Sequence, residues 1–322
     1  MIENVLDLPI DARPDPDEFV RAAMEWHFNP QTGSAYWLRR AETLPFDPRA
    51  DVTSVEDLAL FPNIVDELRD VRVEDLIPRG YGPDPGIVGV YESGGTTGAP
   101  KRVVVLRDWW NQHGACTNAG LDAHGFPGNV DWLAVVPSGP HQIGEVATQA
   151  AAGRGGIKFS VDMDPRWVKK LIAAGKAEEA DAYAEHLVEQ AAFLLRTQDI
   201  GVVMTTPPLL ERIARHDDLA GLINEKVQGI VWGGTHMDAD TRYLYRTEVF
   251  PGVKLCARTC CCPATSNATW PPGWSRRLAR PVTRWPTCPP SRVSAARMSL
   301  RGCTDDRADL HRRTGAARCL PG

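Results

Sequence analysis

Residues 91–102 read YESGGTTGAPKR, and the reading of the whole chain turns on them. Gly94, Gly95 and Gly98 surround the paired Thr96 and Thr97, and Lys101 follows Pro100. Backbone N–H groups of successive glycines can converge on an anion, and small hydroxyls such as that of Ser93 add donors without bulk. A lysine adds a point charge for phosphate oxygens. A plain glycine-rich hairpin turn would account for the glycines and leave the threonines and the lysine unexplained. A Walker-type loop needs G-x-x-x-x-G-K-[ST] running into a helix. Here Pro100 stands between glycine and lysine, Arg102 follows, and the chain enters RVVVL (102–106), which reads as a strand. The pattern is therefore not that of a P-loop NTPase.

Working outward, IVGVYES (87–93) is a second strand, so the loop lies between two strands. DWLAVVP (131–137), GIKFSVD (156–162), GVVMTT (201–206) and GIVWGGT (229–235) have the apolar, β-branched character of buried strands. Helices are predicted between them. One runs through GEVATQAAA, and one opens with Asp164 and Pro165 as cap and first-turn residue. A long helix covers 176–198, with Leu187, Ala191, Leu194 and Leu195 on one face; further helices cover PPLLERIARH and 238–250, the last leading into VKL. Residues 17–85 read as helical, with Trp26, Phe28, Tyr36, Trp37 and Leu38 as apolar anchors. Strands alternating with helices predict an α/β fold, layered with a mostly parallel sheet and flanking helices.

After Leu255 this grammar stops. Residues 1–255 carry 24 Lys+Arg against 38 Asp+Glu, whereas 256–322 carry 12 Arg, no Lys, three Asp and no Glu. Seven of the eight cysteines (Cys256, Cys260, Cys261, Cys262, Cys288, Cys303 and Cys319) lie in that second stretch, with eight prolines and no apolar period. Such a segment is predicted to be disordered, because it cannot bury enough apolar surface to offset ordering. Arg without Lys, together with Cys, Pro, Trp and Ser, is what GC-rich DNA yields in a wrong frame, so a frameshift near Leu255 is expected. The adjacent cysteines and the wide gaps after them lack the C-x₂₋₄-C spacing of zinc sites. The arginines lack the framework of a nucleic-acid arm, so no nucleic-acid partner is expected. Cys116 alone in the body, an acidic N-terminus without a signal pattern and no long apolar window predict a cytoplasmic protein with no membrane partner.

SGGTTGAPK (93–101) resembles the phosphate-loop signature [ST]-[SG]-G-[ST]-T-G-x-P-K of the adenylate-forming (AMP-binding) superfamily, at all nine positions. That superfamily holds acyl-CoA synthetases, luciferases and peptide-synthetase adenylation domains. Three later stretches resemble its segments in the required order: PSGPHQIG (137–144) beside the acyl pocket, VWGGTHM (231–237) against adenine, and FPGVKL (250–255) before its Tyr-Gly-x-Thr-Glu motif. The run from Tyr36-Trp37 through FDPRADVTSVEDLALFP is most similar to the phenylacetate–CoA ligase branch and its relatives in phenazine-antibiotic biosynthesis. The resemblance implies a partial adenylation domain over 1–255, followed by an aberrant tail at 256–322. It implies ATP and Mg²⁺ as cofactors and a small carboxylic acid, aromatic by branch, with CoA as a possible acyl acceptor.

By residue, it implies that Thr96, Thr97 and Lys101 contact the β- and γ-phosphates while Gly94, Gly95 and Gly98 permit close approach. His141 would stand at the acyl pocket, and Gly233, Gly234 and Thr235 would form the adenine edge. His236 is open to either pocket or solvent. No Tyr-Gly-x-Thr-Glu follows Leu255, and 256–322 has no lysine. The family's magnesium glutamate, its ribose-binding aspartate and its α-phosphate lysine therefore have no counterpart, nor does its small C-terminal domain. Carboxylate adenylation with later acyl transfer to a thiol is the implied chemistry, impaired in this chain, with a non-catalytic nucleotide- or acyl-binding remnant as the alternative.

Overall fold

The computed structural model describes residues 4–8, 12–94 and 98–258. The N-terminal region forms α1 (Pro16–Phe28), α2 (Ala35–Ala41) and α3 (Pro48–Asp51), then short 3-10 turns as far as Tyr81. α1 starts at Asp15, whose carboxylate accepts from the backbone N–H of Asp17 and Glu18, with Pro16 supplying its fixed φ at the first position. Val20, Met24 and Phe28, four residues apart, bury one stripe of this helix against Val52, Trp37 and Phe61. The helical reading of 17–85 thus holds for its first half. Beyond Glu56, prolines at 62, 78, 83 and 85 withhold backbone donors, and only 3-10 turns form.

β1 (Ile87–Glu92) and β2 (Arg102–Leu106) pair antiparallel, with Val90 opposite Val104 and Glu92 opposite Arg102. The glycine loop is the tip of this hairpin. α4 (Arg107–Ala123) leads to β3 (Asp131–Val135), α5 (Gln142–Gly153), β4 (Lys158–Val161), α6 (Pro165–Ala173) and α7 (Ala177–Thr197). β5 (Ile200–Thr205), α8 (Pro207–Ala214), α9 (Asp217–Lys226), β6 (Gly229–Trp232), α10 (Ala239–Leu244), a π-turn (Tyr245–Val249) and β7 (Lys254–Ala257) complete the described chain. The last five strands form one parallel sheet in the order β4-β3-β5-β6-β7. The chain steps outward from β3 to β4 and returns to β5 on the other side, so the direction of winding switches between β3 and β5.

Both faces of this sheet are covered, which is why its strands read as unbroken apolar runs. Leu133, Val135, Val203, Ile230 and Leu255 point to one side, where Leu187, Ala191 and Leu195 of α7 and Leu210 and Ile213 of α8 pack on them. The alternate residues Trp132, Ala134, Val202, Met204, Val231 and Cys256 face Ala147, Ala150 and Ala151 of α5 and Leu121 of α4. The fold is the α/β layered arrangement that the sequence predicts. Two helices, α4 and α9, went unpredicted. α4 contains Gly114, Gly120, Asn118 and Thr117, poor helix formers, and is held by packing. At Gly114 an added Cβ would lie 2.6 Å from the amide end of the Gln149 side chain, which would have to shift to admit it. β7 runs two residues past Leu255, with Cys256 buried opposite Val231. The expectations for the remainder of 256–322, from Thr259 onward, lie outside the described residues.

Candidate functional site

Because β3 to β7 are parallel, their carboxyl ends share one edge of the sheet. The segments leaving that edge are Pro137 to His141 after β3, Asp162 after β4, Thr206 after β5, Gly233 to His236 after β6, and Arg258 after β7. Ligands of open α/β sheets bind outside such carboxyl ends, at the point where winding reverses.

The glycine loop is tied to this edge. The Glu92 N–H donates to the Pro140 carbonyl at 2.7 Å. The Glu92 carboxylate accepts from Arg166 Nη2 at 2.6 Å and lies 3.5 Å from Arg102 Nε, so the end of β1 is clamped to α6. The hydrogen bond from Arg166 holds the Glu92 carboxyl below its usual range. The base of the loop is closed twice: the Ser93 N–H donates to the Lys101 carbonyl at 2.9 Å, and the Lys101 N–H donates to Ser93 Oγ at 2.9 Å. Ser93 therefore shapes the neck of the loop. Lys169 Nζ, one helical turn after Arg166, donates to the Gly94 carbonyl at 3.1 Å. Gly98 has φ 142°, outside the ordinary range of L-residues, and an added Cβ would lie 3.1 Å from Cζ and Nη1 of Arg69. Gly95, Thr96 and Thr97 lie outside the described residues.

His141 caps α5 with extended backbone, and its N–H donates to the Ser138 carbonyl at 3.2 Å. It is half-buried. Burial and then the Arg166 charge push its imidazole below the ordinary range, against the opposing carboxylates of Asp164, Glu92 and Asp162. The ring thus stands among the charges of Arg166, Asp164, Glu92 and Asp162, near the end of β1. At β6 the Gly233 N–H donates to the Thr205 carbonyl at 3.2 Å, and Gly234 turns the chain at φ 89°. An added Cβ at Gly233 would lie 3.2 Å from Cβ of Arg258. Thr235 and His236 are exposed. The structure thus gathers Ser93, Gly94, Gly98, Lys101 and His141 in one neighbourhood through Glu92 and Arg166. Gly233 and Gly234 lie farther along the same edge, beyond β5.

Residues that sequence reasoning missed are Arg69, Arg166, Lys169 and Thr205. Arg166 and Lys169 stand three apart behind the Asp164 cap, a spacing that places them on one helix face. Arg69 reaches the loop only through tertiary packing. The Thr205 hydroxyl is buried and has no hydrogen-bond partner among the described residues.

No protein-family model matches the sequence, and no curated protein matches it. Solved structures do match. An open conformation of 2-hydroxyisobutyryl-CoA ligase in complex with 2-HIB-AMP and CoA is similar at a TM-score of 0.51 and 13% identity, over 78% of this chain and 55% of that one. The postadenylation state of the same ligase in complex with 2-HIB-AMP gives 0.50 and 13%, over 78% and 53%. The chain shares that ligase's fold. It spans about half the length of the solved structures it matches.

The described part of the loop has two glycine shoulders, a neck closed by Ser93 and Lys101, and Lys169 bonded to the Gly94 carbonyl. No group of three or more His, Cys, Asp or Glu side chains among the described residues is placed to hold a metal, and Glu92 is committed to arginines. Among the described residues no helix is long and apolar enough to cross a membrane.

Proposed function

We propose that this chain carries the nucleotide-gripping body of an ATP-dependent carboxylate–thiol ligase. In the proposed reaction a carboxylate oxygen attacks the α-phosphorus of ATP, the bond to pyrophosphate breaks, and acyl-adenylate forms. A thiol such as that of CoA then attacks the acyl carbon and AMP leaves. The observation that carries this reading is the nine-position SGGTTGAPK stretch, closed at its neck by Ser93 and Lys101 and clamped through Glu92 to the carboxyl edge of the sheet. Lys101 would offset charge on the departing pyrophosphate, while glycine backbone allows the phosphates close approach; such preorganised electrostatics is the main contribution a protein makes to phosphoryl chemistry. Thr96 and Thr97 would add hydroxyl donors, Gly233, Gly234 and Thr235 the adenine edge, and His141 a wall of the acyl pocket. An aromatic acid is the substrate class we favour, from the likeness of the N-terminal run.

We further propose that the out-of-frame composition beyond β7 leaves adenylation weak or absent, since it holds neither the Tyr-Gly-x-Thr-Glu stretch nor any lysine. Loss of one preorganised charge-stabilising donor costs ~3–4 kcal/mol of transition-state stabilisation. Carboxylate-dependent pyrophosphate–ATP exchange over a panel of aromatic acids tests this. Binding of ATP with little exchange supports both proposals; robust exchange would overturn the second, and absence of ATP binding the first. Reading the DNA across codons 250–260 in all three frames checks the frameshift.

A further inference from the structure

A cavity of about 490 Å³ lies in the N-terminal region, between α2 and the 3-10 turns that follow Asp66, within the size range of small-molecule sites. None of its lining residues belongs to the carboxyl edge of the sheet, and the proposed reaction does not use it. Tyr36 and Val71 supply apolar lining, and three arginines (Arg39, Arg40 and Arg72) face three carboxylates (Glu67, Asp70 and Asp75). Two of those carboxylates are engaged by the protein. Glu67 accepts from the Tyr36 hydroxyl at 3.0 Å and pairs with Arg40 Nη2 at 3.2 Å, and Asp75 pairs with Arg39 Nη2 at 2.7 Å. Burial and then the bond to Glu67 push the Tyr36 phenol up to about 12, so it stays protonated and keeps that bond. Asp70 is different: it is exposed, and among the described residues no hydrogen bond or ion pair engages its carboxylate. The arginines hold unused donors as well. Arg39 commits only Nη2, to Asp75, and Arg40 Nε is buried with no partner among the described residues. Arg72, with 78% of its side chain exposed, approaches Glu74 only through Nε at 3.5 Å.

We infer that this cavity binds a small zwitterion, an α-amino acid with an apolar side chain. Its ammonium pairs with Asp70, its carboxylate takes guanidinium donors of Arg39 and Arg72, and its side chain lies against Tyr36 and Val71. The lining charges decide the class, because three cations against three anions sum to zero. A simple carboxylate would meet the Asp70 charge uncompensated, and a simple amine would meet the arginines. A ligand with both charges on one carbon satisfies both kinds of group that the protein leaves unpaired. The planar fork of a guanidinium also matches the two oxygens of a carboxylate. Asp70 is not part of a cation site, since among the described residues no three acidic groups are placed to hold a metal. The inference is independent of the ATP reading, which uses none of these residues.

Calorimetric titration of the full chain with L-leucine, 4-methylpentanoate and 3-methylbutylamine tests the inference; the second and third probes are leucine without its ammonium and without its carboxylate. Leucine should saturate wild type and bind about tenfold or more tighter than either analogue, as loss of one charge-assisted bond implies. Asp70→Asn should bring leucine and 4-methylpentanoate to within about twofold of each other, because the partner of the ammonium is gone. Arg72→Gln should weaken leucine and 4-methylpentanoate by a similar factor. Both side chains are exposed, so the melting temperature of each variant should match wild type. The inference is wrong if leucine does not saturate wild type, or if it binds no tighter than its analogues. It is also wrong if folded Asp70→Asn keeps the full preference for leucine, or if both variants bind leucine as wild type does, which would place the amino acid elsewhere on the chain.

Discussion

Arg154 is a side chain whose loss should cost the described fold heavily. It caps α5 and reaches back over the connection between α4 and β3. Its side chain is only 7% exposed; Nη2 donates to the Phe126 carbonyl at 2.8 Å, Nε to the Pro127 carbonyl at 3.2 Å, and Nη1 pairs with Asp122 at 2.8 Å. Asp122 is 67% exposed and would return to water, so its ion pair contributes under about 1 kcal/mol. The two carbonyls are different. Arg154→Ala would leave both facing protein with no donor, at ~1–3 kcal/mol each, and would also remove the packing of the arginine stem. The expected loss is about 3–4 kcal/mol, a large fraction of the ~5–15 kcal/mol that stabilises a typical domain. Arg154→Lys should recover roughly half, because an ammonium cannot reproduce the fork that spans two carbonyls. Urea denaturation followed by tryptophan fluorescence reads this as a lower midpoint with unchanged slope. A loss under about 1 kcal/mol in Arg154→Ala would refute the reasoning, since it would mean that water satisfies those carbonyls and the connection is held by something else.

Further outcomes concern the site edge. Thr205→Val keeps the branched shape and removes a buried, unpartnered hydroxyl, so it should raise stability by ~1 kcal/mol; a loss would show that the hydroxyl is bonded. His27, His113 and His141 all have imidazoles pushed below the ordinary range, with burial as the largest cause. The unfolded chain therefore takes up protons first as pH falls through about 6.5, so stability should be full above that pH and decline below it. Chemical denaturation at stepped pH checks this, and stability that rises on acidification from pH 7 to 5.5 would contradict it.

Much of the fold was legible because buried parallel strands announce themselves. DWLAV, GVVMT and GIVW are apolar on both faces, since helices cover both. The Asp164-Pro165 cap is local chemistry and was read correctly. α4 was not legible, because Gly114, Gly120 and Asn118 are poor helix formers and the packing that holds the helix, such as Gly114 against Gln149 of α5, has no signature within the helix itself. The N-terminal region misled for the opposite reason: anchored aromatics suggested helices, and the prolines after Phe61 decided otherwise. At the site, the glycine loop is local and was visible, whereas its attachment to the sheet through Glu92 and Arg166 spans 74 residues of chain and was not. Lys169 and Arg69 belong to the same class of long-range contact.

The central claim is that the glycine loop grips the phosphates of ATP. Calorimetric titration of ATP into the full chain, beside a Lys101→Ala, Thr97→Val double variant, tests it most directly. The account expects saturable binding by wild type and about tenfold or more weaker binding by the double variant, with the melting temperature unchanged. Equal affinity in the two proteins, or no binding by a folded wild type, would contradict it.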